Sequence, residues 1–163
     1  GKSTNFYVRY RAYLYVFNGT AYTHKGTINI QSLSVGTVSQ CYLSEDGKTI
    51  GISTDNSSVY NFLVYTWDLV TDSFTHTFTY NGIYSVNKAF FSFNMSPDGN
   101  TIGIKPASNS AHIEVYIYNG SNWIQKGSTI DTGEPYKNGP VIFNDDGNIG
   151  MGVDYSLVEY VYE

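Results

Sequence analysis

"SPDGNTIGI", residues 96–104, decides the fold of this chain because it is written more than once. A close copy, "SEDGKTIGI", stands at 44–52, and a weaker one, "NDDGNIGMGV", at 144–153. The Asp-Gly pairs at 46–47, 98–99 and 146–147 are 52 and 48 residues apart. Asp-Gly suits the tight turn of a β-hairpin, since Gly takes a positive φ without penalty and Asp tolerates one. Each pair follows an apolar stretch ("QCYLS", "FFSFNMS", "PVIFN") and precedes a short strand-like one ("TIGIS", "TIGIK", "IGMGV"). One such hairpin says little. Three at a near-constant period, with matching flanks, indicate an array of repeated units.

A second landmark repeats out of phase with the first. An aromatic followed by a polar residue recurs as Phe17-Asn18, Trp67-Asp68, Tyr118-Asn119 and Tyr162-Glu163, at spacings of 50, 51 and 44. "FNGTAYTHKGTI" at 17–28 matches "YNGSNWIQKGSTI" at 118–130, and Asn-Gly is again a hairpin signal. The composition agrees with strands. There are 16 Tyr and 9 Phe but only 14% charged residues, a balance that favours pleated strands over helices. No stretch keeps the i, i+3, i+4, i+7 apolar pattern of a helix, whereas "NFLVYTW", "IEVYIYN" and "VEYVY" read as short strands.

Four antiparallel strands in a unit of about fifty residues make a β-propeller blade. The S-P-D-G-x-T turn, followed by a strand and, in the second unit, by "VYTWD", resembles a WD40-like propeller repeat along essentially the whole chain. The likeness departs from the WD40 pattern at named places. No Gly-His precedes the inner strands, Trp67-Asp68 is the single literal Trp-Asp, and Asp55 and Asp154 lack His partners. The chain is therefore closer to a generic S-x-D-G propeller repeat. The resemblance implies an all-β fold of about three to four blades.

With strands lettered A to D outward from the axis, residues 3–8, 10–17 and 21–30 read as B, C and D of a first blade (1–30). Residues 38–44, 48–53, 61–68 and 72–79 make a full blade (31–80), as do 88–95, 100–104, 111–118 and 122–130 (81–131). Residues 140–144, 148–153 and 157–162 give A, B and C of a last blade (132–163). Gly1 falls where a further Asp-Gly turn is expected. Closed propellers need about four to eight blades, so the reading expects completion by further chain or by a protein partner, with the strand at 157–162 paired from outside residues 1–163. An open four-bladed arc is the alternative. Phe91, Phe93, Leu43 and Ile102 are expected to be buried between blades.

The chemistry the sequence excludes is as informative. A net charge of −5, with arginine only at positions 9 and 11, argues against a nucleic-acid surface. No apolar run approaches the roughly 18 residues of a membrane span. No G-x-S-x-G, H-E-x-x-H, P-loop or G-x-G-x-x-G occurs, so no catalytic residue and no cofactor is assigned. His24, His76 and His112 are far apart on expected strands, and no metal site is assigned from them. The acidic turn at 144–148 lacks the alternating oxygen ligands of a calcium loop, and hairpin geometry accounts for its Asp and Gly. Sequons at Asn18, Asn56, Asn94 and Asn119 are about as many as this Asn-, Ser- and Thr-rich composition produces by chance. Asn94 also falls in an inner strand. Cys41 lies in an inner strand too, where a buried, inert thiol is expected.

The tyrosines remain. Most alternate along strands, as Tyr13/Tyr15 and Tyr160/Tyr162 do, and are expected to pack between blades. Tyr80, Tyr84 and Tyr136, with Glu134 nearby, fall in D-to-A connections and are the candidate binding residues, since amphipathic aromatics with few charges suit a contact surface. The leading functional expectation is a non-enzymatic structural or protein-interaction module, in an assembly such as a virion or cell-surface structure. A carbohydrate-binding propeller and part of a propeller enzyme are the alternatives.

Overall fold

The computed structural model describes residues 10–30, 37–55, 60–81, 92–106, 112–131, 133, 140–144, 147–153 and 156–160. Among these, all regular structure is antiparallel β. Strands β1 (Arg11–Phe17) and β2 (Tyr22–Asn29) form a first sheet. The second is a four-stranded meander of β3 (Thr37–Leu43), β4 (Thr49–Asp55), β5 (Tyr60–Asp68) and β6 (Ser73–Asn81). The third contains β7 (Ser92–Met95), β8 (Thr101–Lys105) and β9 (His112–Tyr118), with β10 (Trp123–Gln125) and β11 (Ile130–Asp131) both paired to β9. The fourth holds β12 (Val141–Phe143), β13 (Ile149–Val153) and β14 (Ser156–Tyr160). These are propeller blades in succession. The two expected hairpins form, with Leu43 opposite Ile50 and Met95 opposite Ile102. The expected strand at 3–8 lies outside the described residues.

The repeated turn has a physical reason. In the second blade the Ser44 hydroxyl donates to Asp46 Oδ1 (2.7 Å) and accepts from the Thr49 N–H (2.9 Å), while Asp46 Oδ1 also accepts from the Lys48 N–H. In the third blade Ser96, Asp98, Asn100 and Thr101 repeat every one of these bonds. In the fourth, Asn144 takes over the serine's place and its Oδ1 accepts from the Asn148 N–H at 2.8 Å. Gly47, Gly99 and Gly147 have φ of 70°, 73° and 79°, the left-handed region in which Gly carries no steric cost. The second landmark caps the other turn. Asn18, Asp68 and Asn119 each accept, through one side-chain oxygen, the N–H groups two and three residues on, an Asx turn.

Packing follows the pleat. Ile50, Ile52, Leu63 and Tyr65 of the second blade meet Leu14, Ile28 and Ile30 of the first. On its other face, Phe62 and Val64 meet Phe93, Met95, Ile102 and Ile104 of the third. Ile113 and Val115 of the third meet Val141 and Ile149 of the fourth. The third strand of the second blade, β5, is thus apolar on both faces, as a strand covered from both sides must be. A glycine in β4 and another in β8, Gly51 and Gly103, lie on the face away from the preceding blade and make room. A Cβ on Gly103 would stand 2.6 Å from Ile149 Cδ1 and 2.8 Å from Val141 Cγ1. Ser92 Oγ accepts from the Val141 N–H, and Asn94 Nδ2 donates to the Val141 carbonyl, both at 3.0 Å, so polar side chains also tie the third blade to the fourth.

Several expectations are corrected. Phe93 and Ile102 are buried, but Leu43 is 51% exposed. It shares the face of Ile50, toward the first blade, whose described strands β1 and β2 do not reach over it. Cys41 shares that face and is exposed rather than buried. Phe91 lies outside the described residues. The single strand expected at 122–130 is broken into β10 and β11 around Gly127, whose φ is 63°. The pairing register slips at the matching place in the first two blades, opposite Leu14/Tyr15 and Val64/Tyr65.

Candidate functional site

Of the binding residues expected from sequence, Tyr80 is described, and Tyr84, Glu134 and Tyr136 lie outside the described residues. Tyr80 belongs to β6 itself rather than to a connection after it, and it is half-buried. Its hydroxyl donates to Glu114 Oε1 (3.3 Å), and the Tyr116 hydroxyl donates to Glu114 Oε2 (2.8 Å). His112 Nε2 stands 3.4 Å from Glu114 Oε1. One carboxylate on β9 therefore gathers two phenols and an imidazole between the second and third blades. Burial, then the Glu114 charge and the neighbouring Tyr116, push the Tyr80 pKa well up. Burial and the bond to Glu114 do the same for Tyr116. Both phenols thus stay protonated donors, which suits a structural clasp better than acid–base work near neutrality.

Lys105, at the end of β8, is buried opposite Ser92, and burial pushes its ammonium pKa down. His24 and His76 bond to Thr27 and Thr79 in their own strands. Among the described residues no cluster of three or more His, Cys, Asp or Glu side chains could hold a metal ion. The acidic pair Asp145 and Asp146 lies outside the described residues. No helix among the described residues is long and apolar enough to cross a membrane.

Two surfaces stand out, and sequence reasoning missed both. The first is the outward face of the first sheet. Tyr13, Tyr15 and Phe17 are each 54% exposed and Tyr22 is 73% exposed, not packed between blades as alternation suggested. Phe17 pairs with Tyr22, and their rings lie 5.2 Å apart. The Tyr15 and His24 rings lie 5.5 Å apart, edge to face. In the third blade the matching positions are Tyr116, Tyr118 and Trp123. There Phe78 of β6 lies 5.2 Å from Tyr116 and 5.8 Å from Trp123, so the face is covered. Aligning the two "NG…KG" stretches and following the face of each residue was the signal that could have found it.

The second is a cleft of about 440 Å³ on the turn side between the first and second blades. Leu14, Val16, Leu43, Trp67 and Leu69 line it, with Lys25 and Lys48 at its edges. Trp67 is held in place by Phe74, edge to face at 4.8 Å, and by the Lys25 ammonium, 4.6 Å over its ring.

No protein-family model matches the chain, and no curated protein matches its sequence. Solved structures do match its fold. A protein from Lactobacillus plantarum superposes with a TM-score of 0.59 at 14% identity, over 94% of this chain and 46% of its own. A candidate 6-phosphogluconolactonase from Bacteroides fragilis gives 0.53 at 14% identity, over 79% of this chain and 35% of its own. A functionally unknown protein from Desulfotomaculum acetoxidans gives 0.56 at 12%, over 93% and 49%. The chain thus spans half or less of the length of each of these proteins. At such identities the likeness bears on the fold alone.

Proposed function

We propose that this chain is a propeller scaffold and protein-interaction module of the S-x-D-G repeat kind, non-enzymatic in itself. Its contact surface is the aromatic face of the first sheet. One observation carries the reading: Tyr15, Phe17 and Tyr22 are exposed where their counterparts in the third blade are covered by the aromatic face of β6. Exposed, amphipathic aromatics concentrated on one face are what protein contacts use. The occupant is a strand-bearing protein surface, whether further chain or a partner subunit. Sedimentation over a concentration series tests this. The chain is expected to self-associate through that face, and Tyr15→Ser with Phe17→Ser to abolish the association. A chain that stays monomeric at every concentration counts against the proposal.

A second reading is supported by the likeness to the candidate 6-phosphogluconolactonase: the blades are part of a propeller enzyme. Lactone hydrolysis by the chain, or by a longer protein containing it, would favour that reading. Binding on a glycan array, lost with Tyr15→Ser, would favour a carbohydrate-binding propeller instead.

A further inference from the structure

We infer that the C–D turns of the first and third blades are modification sites, at which Asn18 and Asn119 convert to Asp through a succinimide, with the turn's own N–H groups promoting the step. Each asparagine is exposed and is followed by glycine. Asn18 Oδ1 accepts from the Thr20 N–H (3.0 Å) and the Ala21 N–H (2.9 Å). Asn119 Oδ1 accepts from the Ser121 N–H (3.0 Å) and the Asn122 N–H (2.9 Å). Each carboxamide carbon thus carries an oxygen held by two backbone donors, the arrangement that stabilises an oxyanion. The nucleophile is the nitrogen of the next residue. The Gly19 and Gly120 N–H groups bond to no described residue, and nothing lies within 4 Å of either glycine's Cβ position, so the approach is open.

The second blade shows what these donors do to charge. Asp68 stands where Asn18 and Asn119 do, and its Oδ1 accepts from the Val70 N–H (2.7 Å) and the Thr71 N–H (3.4 Å). The Val70 N–H, and after it the Thr71 side chain and N–H, hold the Asp68 carboxyl below its usual pKa. This turn therefore favours negative charge on the oxygen that becomes the oxyanion in the other two blades. Asp68 also stands for the product: a turn capped by Asp already fits the fold.

The step balances as a hydrolysis. The glycine nitrogen gives its proton to water and bonds to the asparagine Cγ, and the carbonyl electron pair moves to Oδ1. The oxyanion collapses, the Cγ–Nδ2 bond breaks, and Nδ2 leaves as ammonia with a proton from water. Water then opens the ring, at Cγ to give Asp or at the asparagine's backbone carbonyl to give isoaspartate. Other asparagines lack this arrangement. Asn94 Nδ2 donates to the Val141 carbonyl, and the residue after it is Met95. Asn100 precedes the branched Thr101. The Asn81-Gly82 and Asn138-Gly139 pairs extend beyond the described residues. The inference needs no partner on the aromatic face.

The whole chain is incubated near neutral pH, folded and, in parallel, unfolded in guanidinium chloride. Peptide mapping by mass spectrometry follows the gain of one mass unit at each asparagine, with Asp and isoaspartate summed. Asn18 and Asn119 should convert at least as fast in the folded chain as in the unfolded one, while Asn94 and Asn100 stay intact in the folded chain. Thr20→Pro and Ser121→Pro each remove one N–H donor and leave the attacking glycine in place. In folded variants, checked by circular dichroism, conversion at the altered turn should slow about fivefold, roughly what one exposed hydrogen bond is worth. Unfolded, variant and wild type should convert alike. Slower conversion at Asn18 and Asn119 in the folded chain than in the unfolded one would overturn the inference. So would an unchanged rate in both folded proline variants.

Discussion

The rings of Phe62 and Phe93 lie 4.1 Å apart, centroid to centroid, at an interplanar angle of 32°, and both side chains are buried. Phe62 is in the C strand of one blade and Phe93 in the A strand of the next, so this contact joins two blades at their centre. Tyr42 closes the group, edge to face with Phe93 at 4.9 Å. Phe93→Ala should cost about 3–5 kcal/mol, the usual range for emptying a buried phenylalanine site. Denaturant unfolding reads this directly, and an unchanged midpoint would place Phe93 outside the core.

Gly103→Ala tests the opposite error, overfilling. The new methyl would press on Ile149 and Val141, well inside van der Waals distance. A loss of roughly 1–3 kcal/mol is expected from the forced shift. The φ of Gly103 is not in the left-handed region, so the cost reports packing and not backbone strain. A neutral result would mean that the third and fourth blades are not in contact there.

Acid should weaken the turns. Partial burial would raise the Asp98 pKa, but the Ser96 hydroxyl and the backbone and side chain of Asn100 outweigh it, and the carboxyl is held below its usual value. Asp46 is lowered in the same way through Lys48 and Ser44. A carboxyl whose folded pKa is depressed adds stability that is complete above its unfolded pKa, about 3.9. That contribution is lost as the pH falls through the folded value. Melting curves across this range should show the fall, and Asp98→Asn should flatten it. A slope identical in the variant would refute the role of this carboxylate.

Alkali should act through the clasp on Glu114. The folded pKa values of Tyr80 and Tyr116 are raised, so their contribution is complete below the unfolded value of about 10 and is lost as the pH rises beyond it. Stability should therefore fall above about pH 10. The paired variant Tyr80→Phe/Tyr116→Phe should lose less over the same interval. Ultraviolet titration of the wild type should find a tyrosine fraction that ionises only on unfolding, and that fraction should shrink in the paired variant.

The turns were the most legible part of this molecule, because their chemistry is local: Ser44, Asp46 and Gly47 specify a hairpin among themselves. The strand order followed from the turns. Burial was less legible, since it depends on which sheet lies opposite. Leu43 and Met95 occupy the same place in near-identical sentences, yet only Met95 is covered. Tyr80 was placed in a connection because β6 runs to Asn81, past the point where its alternation becomes ambiguous. The break at Lys126 and Gly127 gave no signal of its own. It becomes readable only beside the register slips in the first two blades. Glu114 went unnoticed because its partners come from two different repeats.

Gly51 in β4 and Gly103 in β8 give the second and third blades a direction. Ile50 and Ile52, like Ile102 and Ile104, project back toward the preceding blade, while Gly51 makes room for the Phe62 ring of its own blade and Gly103 for Ile149 and Val141 of the next. The interface of the third and fourth blades therefore sets a projection into a recess, and a blade turned round there would set projection against projection. Such a chain has an inheritable grammar. Duplicating or deleting one whole unit leaves each junction complementary, whereas an exchange that cuts a unit in half destroys two. Gene-level growth by whole blades is thus the cheap route for this architecture, and a lineage could change its number of units without inventing a single new contact.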